Sequence, residues 1–351
     1  EKEIKTMKLL FNLQLFADLN VNVTTAASEG NNLSAEIKSF YDMTLIDEAT
    51  AQLVHDQFGQ KRNIPQGSGK NIEFRKFASL PKALTPLTEG VTPDGQNLDV
   101  TAISATVAQY GGYIVQSDVL ELTALDNTIL EATKILGRQA GLTLDTITRN
   151  VLNAGANVSY CSKVSGSTET PVTSRTDLDT TAKLTVKTVQ KVVAKLRGQN
   201  APTINGKYVA IVHPYVAYDL MRDPEWIDAH KYANPTNLYE GEIGEVAGVR
   251  FVQTTEAKVW NDSTCPSAGS GKYHPVFSTL FLAEGAYGVT EVTGGGLTTI
   301  IKQKGSSGVA DALDQRSSVG WKAIKTAKIL IPNYIVRVES CSPDFDTTLA
   351  N

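Results

Sequence analysis

Apolar and polar positions change their period several times along this chain. Residues 7–17 (MKLLFNLQLFA) alternate partly with period two, placing Leu9, Phe11, Leu13 and Leu15 on one side, the pattern of a strand with one buried face. Residues 18–33 (DLNVNVTTAASEGNNL) form a polar linker. An apolar strand ahead of such a linker has nothing local to pack on, so 1–33 is expected to be an arm that docks on another subunit by strand addition. From Ser34, a candidate cap, to Asp56 the period becomes helical, with Ile37, Phe40, Tyr41, Leu45, Ala49 and Leu53 in one stripe.

Beyond the loop GQKRNIPQGSGK, Ile72, Phe74 and Phe77 mark a strand. A stretch holding Pro81, Pro86, Gly90, Pro93 and Gly95 follows, and then Val100, Ala102, Ser104, Thr106, Ala108 and Tyr110 alternate in a second strand that runs on to Val115. This predicts a long hairpin with an irregular tip. Arms of about 12 residues would reach about 40 Å. A two-stranded ribbon of that length is not stable alone in water and must lie on something.

Residues 125–153 predict a long helix with Asp126 as cap and Ile129, Ala132, Leu136, Ala140, Leu144, Ile147 and Val151 as its stripe, stopped by Gly155. Gly137 and Gly141 each cost about 1 kcal/mol against Ala inside a helix, which predicts a close-packed neighbour there. Residues 156–181 read as a polar loop and Thr185 to Arg197 as a helix ended by Gly198. Strands are expected at YVAIVHP (208–214), VRFVQTT (249–255) and VFSTLFLA (276–283), with a short helix from Val216 to Met221 halted by Asp223-Pro224. Two further strands, VGWKAIKTAKILI (319–331) and YIVRVES (334–340), are expected to return to the first core. The class is α+β.

Composition narrows the function. With 41% apolar and 20% charged residues, the 351-residue chain is neither collagen-like, coiled-coil nor wholly disordered. Its net charge of −4 argues against a tight grip on nucleic acid through many phosphates. Charge is sorted, however. Residues 60–82 carry Lys61, Arg62, Lys70, Arg75, Lys76 and Lys82 against Glu73 alone, whereas 83–133 carry Glu89, Asp94, Asp99, Asp118, Glu121, Asp126 and Glu131 with no Lys or Arg. An acidic projection laid over the basic base of the next copy would set register and steer encounter; two solvated faces are the plainer alternative. Lys183, Lys187, Lys191 and Lys195 repeat every four residues with no acid nearby in sequence, the mark of a solvated helix face or of a phosphate or acidic contact.

Motifs for catalysis are missing. GSGK at 67–70 and at 269–272 lacks the following Ser/Thr of a phosphate loop. His55, His213, His230 and His274 form no H-E-x-x-H pair, and no G-x-S-x-G occurs. Asp177 and Asp179 lack the remaining ligands of a calcium loop. Cys161, Cys265 and Cys341 are widely spaced and read as reduced thiols. No apolar stretch reaches the roughly 20 residues needed to cross a bilayer. No catalytic residue, cofactor or metal is expected.

The runs HDQFGQKRNIP (55–65), IEFRKFASLPKALTPLTEGVTPDG (72–95), LDTITRNVLNAG (144–155), YVAIVHPYVAYDLMRDPEWIDAHKY (208–232) and EGEIGEVAGVRFVQTTEAK (240–258) resemble tailed-bacteriophage major capsid proteins of the HK97-fold family. The resemblance implies an N-terminal arm (1–33), a peripheral domain (34–71, the spine helix in 111–155, and 317–351 with the C-terminal tail), an extended loop (72–110) and an axial domain (156–316). It implies a subunit that tiles an icosahedral shell around double-stranded DNA, bound without sequence specificity. The implied partners are its own copies in hexamers and pentamers, with portal, scaffolding and decoration proteins; the implied location is the virion capsid, assembled in the bacterial host cytoplasm. Candidate intersubunit contacts are Lys61, Arg62, Arg75, Lys76, Lys82, Glu89, Asp94, Asp99, Leu9, Phe11 and Leu13. Two alternatives stay open: an encapsulin-like nanocompartment shell, and an enzyme with 72–110 as a mobile lid.

Overall fold

A computed structural model describes residues 43–49, 53–63, 70–77, 80, 82–84, 86, 89–90, 95–123, 128–166, 168–231, 244–269, 271–290, 297–302, 304, 313–342 and 349–351. Along the chain, helix α1 (43–49) precedes strands β1 (Gln60–Arg62), β2 (Asn71–Phe77), β3 (Val100–Thr106) and β4 (Ala108–Ser117), then helices α2 (Asp118–Thr123) and α3 (Thr128–Asn153). Short strands β5 (Val158–Tyr160), β6 (Lys163–Ser165) and β7 (Thr168–Thr170) lead to α4 (Val186–Gly198), β8 (Tyr208–Val212), α5 (Pro214–Met221) and α6 (Pro224–Lys231). Then come β9 (Glu245–Val246), β10 (Val249–Gln253), β11 (Val259–Trp260), β12 (Ser267–Gly269), β13 (Lys272–Tyr273), β14 (Val276–Leu282) and β15 (Tyr287–Thr290). The chain closes with β16 (Leu297–Lys302), β17 (Arg316–Lys325), β18 (Ala327–Ile329) and β19 (Ile335–Cys341).

The largest core surrounds a seven-stranded mixed sheet of order β5-β19-β14-β8-β10-β9, with β11 paired on β14. Every residue of β8 and β14 is buried, which is why both read as unbroken apolar runs rather than alternations. Helix α4 lays Val189, Val192, Val193 and Leu196 on this core, and its first turn is capped by Thr185, whose side chain accepts from the Thr188 N–H. Asp223-Pro224 ends α5 but also starts α6: Pro at a first helical position loses no hydrogen bond, and the Asp223 carboxylate accepts from the Glu225 N–H at 3.1 Å.

A second core lies between α1, α3 and the three-stranded sheet β16-β17-β4. Leu45 and Ala49 of α1 meet Leu136, Ala140 and Leu144 of α3, and Val319 and Trp321 of β17 close it. The close neighbour expected at Gly137 is α1. A Cβ at Gly137 would sit 2.9 Å from Glu48 Cβ and 3.0 Å from the Leu45 carbonyl oxygen. Helix α3 is described from Thr128 onward, so the Asp126 cap lies outside the described residues.

Three expectations are corrected. The C-terminal return splits: β17 joins the second core through a ten-residue antiparallel ladder with β4, but β19 is inserted between β14 and β5 in the large sheet. Six of the seven β19 residues are buried, and such a strand needs neighbours on both edges. The presumed polar loop 156–181 holds three short strands, of which β5 extends the large sheet. The hairpin is also shorter than its sequence pattern. β2 and β3 pair over seven residues each, from Asn71↔Thr106 to Phe77↔Val100. Beyond Val107, whose N–H reaches the Lys70 carbonyl at 2.9 Å, the chain leaves β2 and pairs with β17 instead. The paired ribbon therefore spans about 23 Å.

Where the cores meet, charged groups are buried together. The Lys325 ammonium, with no side-chain exposure, contacts the Asp56 carboxylate. The Thr148 hydroxyl of α3 donates to the other Asp56 oxygen at 2.6 Å. The next residue back, His55, pairs through Nδ1 with Asp145 of α3 at 2.7 Å, both fully buried. Tyr287 of β15 donates its hydroxyl to the His55 carbonyl. Among the described residues no helix is long and apolar enough to cross a membrane.

Removing one partner of a buried pair strands the other charge. Lys325→Ala is expected to lower the unfolding free energy by about 3–5 kcal/mol, while the isosteric apolar double variant Lys325→Met/Asp56→Leu should lose clearly less. Chemical denaturation of the two variants beside the parent checks the ordering.

Candidate assembly surfaces

Among the described residues the hairpin is anchored at its base. Ile72 and Phe74 of β2, Ala105 of β3 and Leu330 form a small buried cluster with Ile103, Val107 and Ile331 at its margin. The Phe74 ring lies where Gly288 has no side chain: a Cβ there would fall 2.2 Å from Phe74 Cε1. Any other residue at 288 would expel the ring and unseat the ribbon.

Away from the base, burial stops. Residues 71, 73, 75, 80, 82–84, 86, 89–90 and 95–102 are all exposed. They include large apolar side chains: Leu84 is 81% exposed and Leu98 62%, with Leu80 and Val100 also on the surface. No third strand pairs with β2-β3 among the described residues. Patches of this kind on a soluble chain mark surfaces that a partner covers.

The charged candidates distribute as follows. Lys61 and Arg62 lie on β1, opposite Val289 and Thr290 of β15, and both are exposed. Arg75 is exposed on β2 opposite Ala102, and Lys76 lies opposite Thr101. Lys82, Glu89 and Asp99 are exposed in the ribbon's outer part. Asp94, Leu9, Phe11 and Leu13 lie outside the described residues. The structure thus puts these groups on two surfaces, the β1 edge and the ribbon, and does not gather them into one site. The lysine repeat keeps Lys187, Lys191 and Lys195 exposed on α4, and acids distant in sequence reach its first two members: Lys183, just before the helix, pairs with Asp219 at 3.0 Å and Lys187 with Glu169 at 2.8 Å.

Sequence reasoning missed an apolar surface on β4. Tyr113 is 75% exposed and Val115 49%. Both belong to a strand read as the continuation of the hairpin, and its alternation gave no sign of which edge would stay open.

The groups that most resemble catalytic chemistry have structural partners. His213 caps α5, accepting the Tyr215 N–H at 3.2 Å, and its ring packs on Tyr215 and Phe277. Burial pushes its pKa down to about 4. The three cysteines are free and buried, and burial first, then mutual proximity, pushes the Cys161 thiol up to about 12. Such thiols are neither nucleophilic nor metal-binding at neutral pH. Among the described residues no group of three or more His, Cys, Asp or Glu could hold a metal ion.

An anchored ribbon with uncovered apolar side chains and sorted surface charge defines a subunit built to be completed by others. The model of one family, phage capsid protein, matches residues 100–338, and the chain belongs to that family. Its α+β fold is the HK97-like fold of solved phage capsids. The capsid of Ralstonia phage GP4 is similar at 14% identity with a TM-score of 0.61, over 93% of this chain and 97% of that one. Cyanophage Pam1 capsid is similar at 15% identity and 0.60, over 93% and 100%. Cyanophage P-SCSP1u capsid is similar at 15% identity and 0.59, over 90% and 92%. No curated protein matches the chain. The protein is a structural component of the phage capsid shell, which selects the capsid reading over the nanocompartment.

His213 gives a pH signature. Burial disfavours its charged form in the folded state, so the unfolded chain binds the proton more tightly. The stabilisation is complete above the ordinary histidine pKa of about 6.5 and is lost as pH falls toward 4. The full loss is about 3 kcal/mol. His213→Asn keeps a capping side chain without a titrating ring and should flatten this part of the stability profile, measured by denaturation between pH 7 and 4.

Proposed function

We propose that the protein is the major head subunit of a tailed phage and closes into an icosahedral shell around double-stranded DNA. In this reading 156–316 forms the axial domain, which meets its copies in hexamers and pentamers. The peripheral parts (34–71, 111–155 and 317–351, less β19) meet at three-fold positions. The ribbon within 72–110 and the arm 1–33 lie over neighbouring subunits. The observation that carries the reading is the ribbon: anchored by Phe74 in its own subunit, it exposes Leu80, Leu84, Leu98 and Val100. Burying that surface against a neighbour contributes about 25 cal/mol per Å², and each subunit then clamps the next.

Charge supports a division of labour. Lys61 and Arg62 make the β1 edge basic, while the ribbon carries both signs, Arg75, Lys76 and Lys82 with Glu89, Asp94 and Asp99, so the β1 edge of one copy attracts the acids of a neighbour's ribbon and contacts between two β1 edges are disfavoured. The net charge of −4 keeps enclosed DNA from adhering to the wall, and DNA contacts are independent of sequence. Assembly takes place in the bacterial host cytoplasm with portal and scaffolding proteins, and a decoration protein is accommodated on the finished shell. The reading assigns no catalytic step to the chain.

Two experiments test this. Deleting residues 83–98 should leave folded, soluble subunits that no longer close; normal particles in electron micrographs of that variant would refute the clamp. Reversing charge at Lys61→Glu/Arg62→Glu should reduce particle yield at low salt by at least several-fold, and combining it with Glu89→Lys/Asp99→Lys should recover much of the loss. Equal yields for all the variants would mean that the sorted charges are merely solvated.

A further inference from the structure

The outer face of the sheet β16-β17-β4 departs from the pattern of its inner face. Inward, Leu297, Val319, Trp321 and Ala323 pack with α1 and α3. A sheet covered on one side normally turns polar residues to the other. Here Tyr113 is 75% exposed, Val115 49% and Ile300 42%. Register places them side by side: Tyr113, Gly320 and Ile300 form one cross-strand row, and Val115, Ser318 and Lys302 form the next. A Cβ at Gly320 would fall 2.8 Å from Tyr113 Cβ, so the middle of the apolar row stays bare.

Charge on this face has one sign. Arg316 stands opposite Ser117, Lys302 opposite Ser318, and Lys322 between Gly111 and Thr298. All three are exposed. None of the thirteen outward residues, five of β4, five of β17 and three of β16, is acidic. The acids that adjoin the face in sequence, Asp118, Glu121 and Asp314, lie beyond its Ser117–Arg316 end. Along β17 the apolar row therefore has Arg316 on one side and Lys322 on the other. An apolar, aromatic centre with a charged rim is the composition of a protein contact, whereas a nucleic-acid duplex is gripped through many phosphates.

Area decides which kind of protein contact. Rows lie about 6.8 Å apart and strands about 4.8 Å apart, so the face covers about 400 Å². A stable complex of globular partners buries about 800 Å² on each side. The face is too small for that and large enough for one helix. Arg316 and Lys322 are six residues apart on β17, which is about 20 Å, the length of a helix of about 14 residues.

We infer that this face docks an acidic amphipathic helix of another protein, reversibly, with its apolar stripe on Tyr113, Val115 and Ile300 and its carboxylates at Arg316, Lys302 and Lys322. The inference goes beyond the shell reading and does not depend on it. The chain's own ribbon is a poorer occupant. Pro86 and Pro93, with Gly90 and Gly95, bar it from a helix, and Lys82, between Leu80 and Leu84, would approach cations of its own sign.

The full-length subunit and a fluorescent peptide of about 14 residues test the inference. In the peptide Glu flanks a stripe of Leu at helical spacing; a control peptide carries Lys for every Glu, and a short DNA duplex is the third probe. By fluorescence anisotropy the Glu peptide is expected to bind on the order of tenfold more tightly than the Lys peptide, and to weaken by a similar factor on Lys302→Glu/Lys322→Glu and on Tyr113→Ser/Ile300→Ser. No binding of the Glu peptide, or equal binding to the parent and both variants, overturns the inference. Tighter binding of the duplex, lost on the same variants, makes the face a nucleic-acid contact and overturns it as well. Ile300→Cys reports cover by the chain itself, the native cysteines being buried. Its maleimide labelling is expected to be as fast in shells formed from this chain alone as in free subunits, and to be slowed several-fold by the Glu peptide. Protection in such shells with no peptide present assigns the face to a copy of this chain and overturns the proposal. If the parent chain forms no shells, the shell reading falls and the peptide result stands by itself.

Discussion

The buried contact between Lys325 and Asp56 is the constraint on which the rest of the subunit depends. It lies where the turn after α1, the C-terminal part of α3 and the end of β17 meet, with Thr148 supplying a further hydrogen bond to the carboxylate. A charge buried there without its partner would cost several kcal/mol, so competing arrangements are suppressed. A slip of β17 by one residue would turn Lys325 to the other face and reverse the placement of Val319, Trp321 and Ala323 as well. Because β17 carries the entire ladder to β4, the same contact fixes where β4 runs. It thereby fixes where the hairpin departs at Val107. The position of a limb that reaches outward is set by an ion pair in the interior.

That limb is incomplete in the single chain. Ile72 and Phe74 can supply about 1.5–3 kcal/mol each by full burial, enough to seat the base against Leu330 and Gly288. Each further residue costs about 1–2 kcal/mol of backbone entropy to order, and the described outer residues from 80 to 102 are all exposed, with little burial in their own subunit to offset it. Structure at the base and exposure beyond it follow from the same sum. Contact with a copy shifts the balance, since the apolar area covered is then counted once for each subunit.

Much of this was legible in the sequence where a local rule determined the outcome. The stripe of α3, the helix after Thr185, the apolar runs of β8 and β14 and the hairpin at 72–77 and 100–106 each followed from period and punctuation. Gly137 predicted a close neighbour correctly, although its identity, α1, is a matter of tertiary packing. What could not be read were pairings between distant segments. Lys325 sits in an alternating strand where a lysine ordinarily points to solvent, and nothing local distinguishes it from Lys322, which is exposed. Lys183 and Lys187 appear unpaired until folding brings Asp219 and Glu169 to them. β19 reads as a strand from its alternation, but which sheet receives it depends on the vacancy between β14 and β5. Likewise, a run from 100 to 115 with one alternation conceals the change of partner at Val107.

The surfaces left open are of two kinds, and the difference has consequences for assembly. The ribbon and the β1 edge carry charge on exposed side chains, where attraction is long in range, modest in strength and reduced by salt. The edge of β4 carries no charge, and its outward N–H and C=O groups are satisfied only at contact and only in register. Charged surfaces therefore act first, selecting which faces of two subunits approach, while an uncharged strand edge holds what has already been aligned. Were the order reversed, the first contacts would be the least discriminating ones, because backbone hydrogen bonds read no side chains.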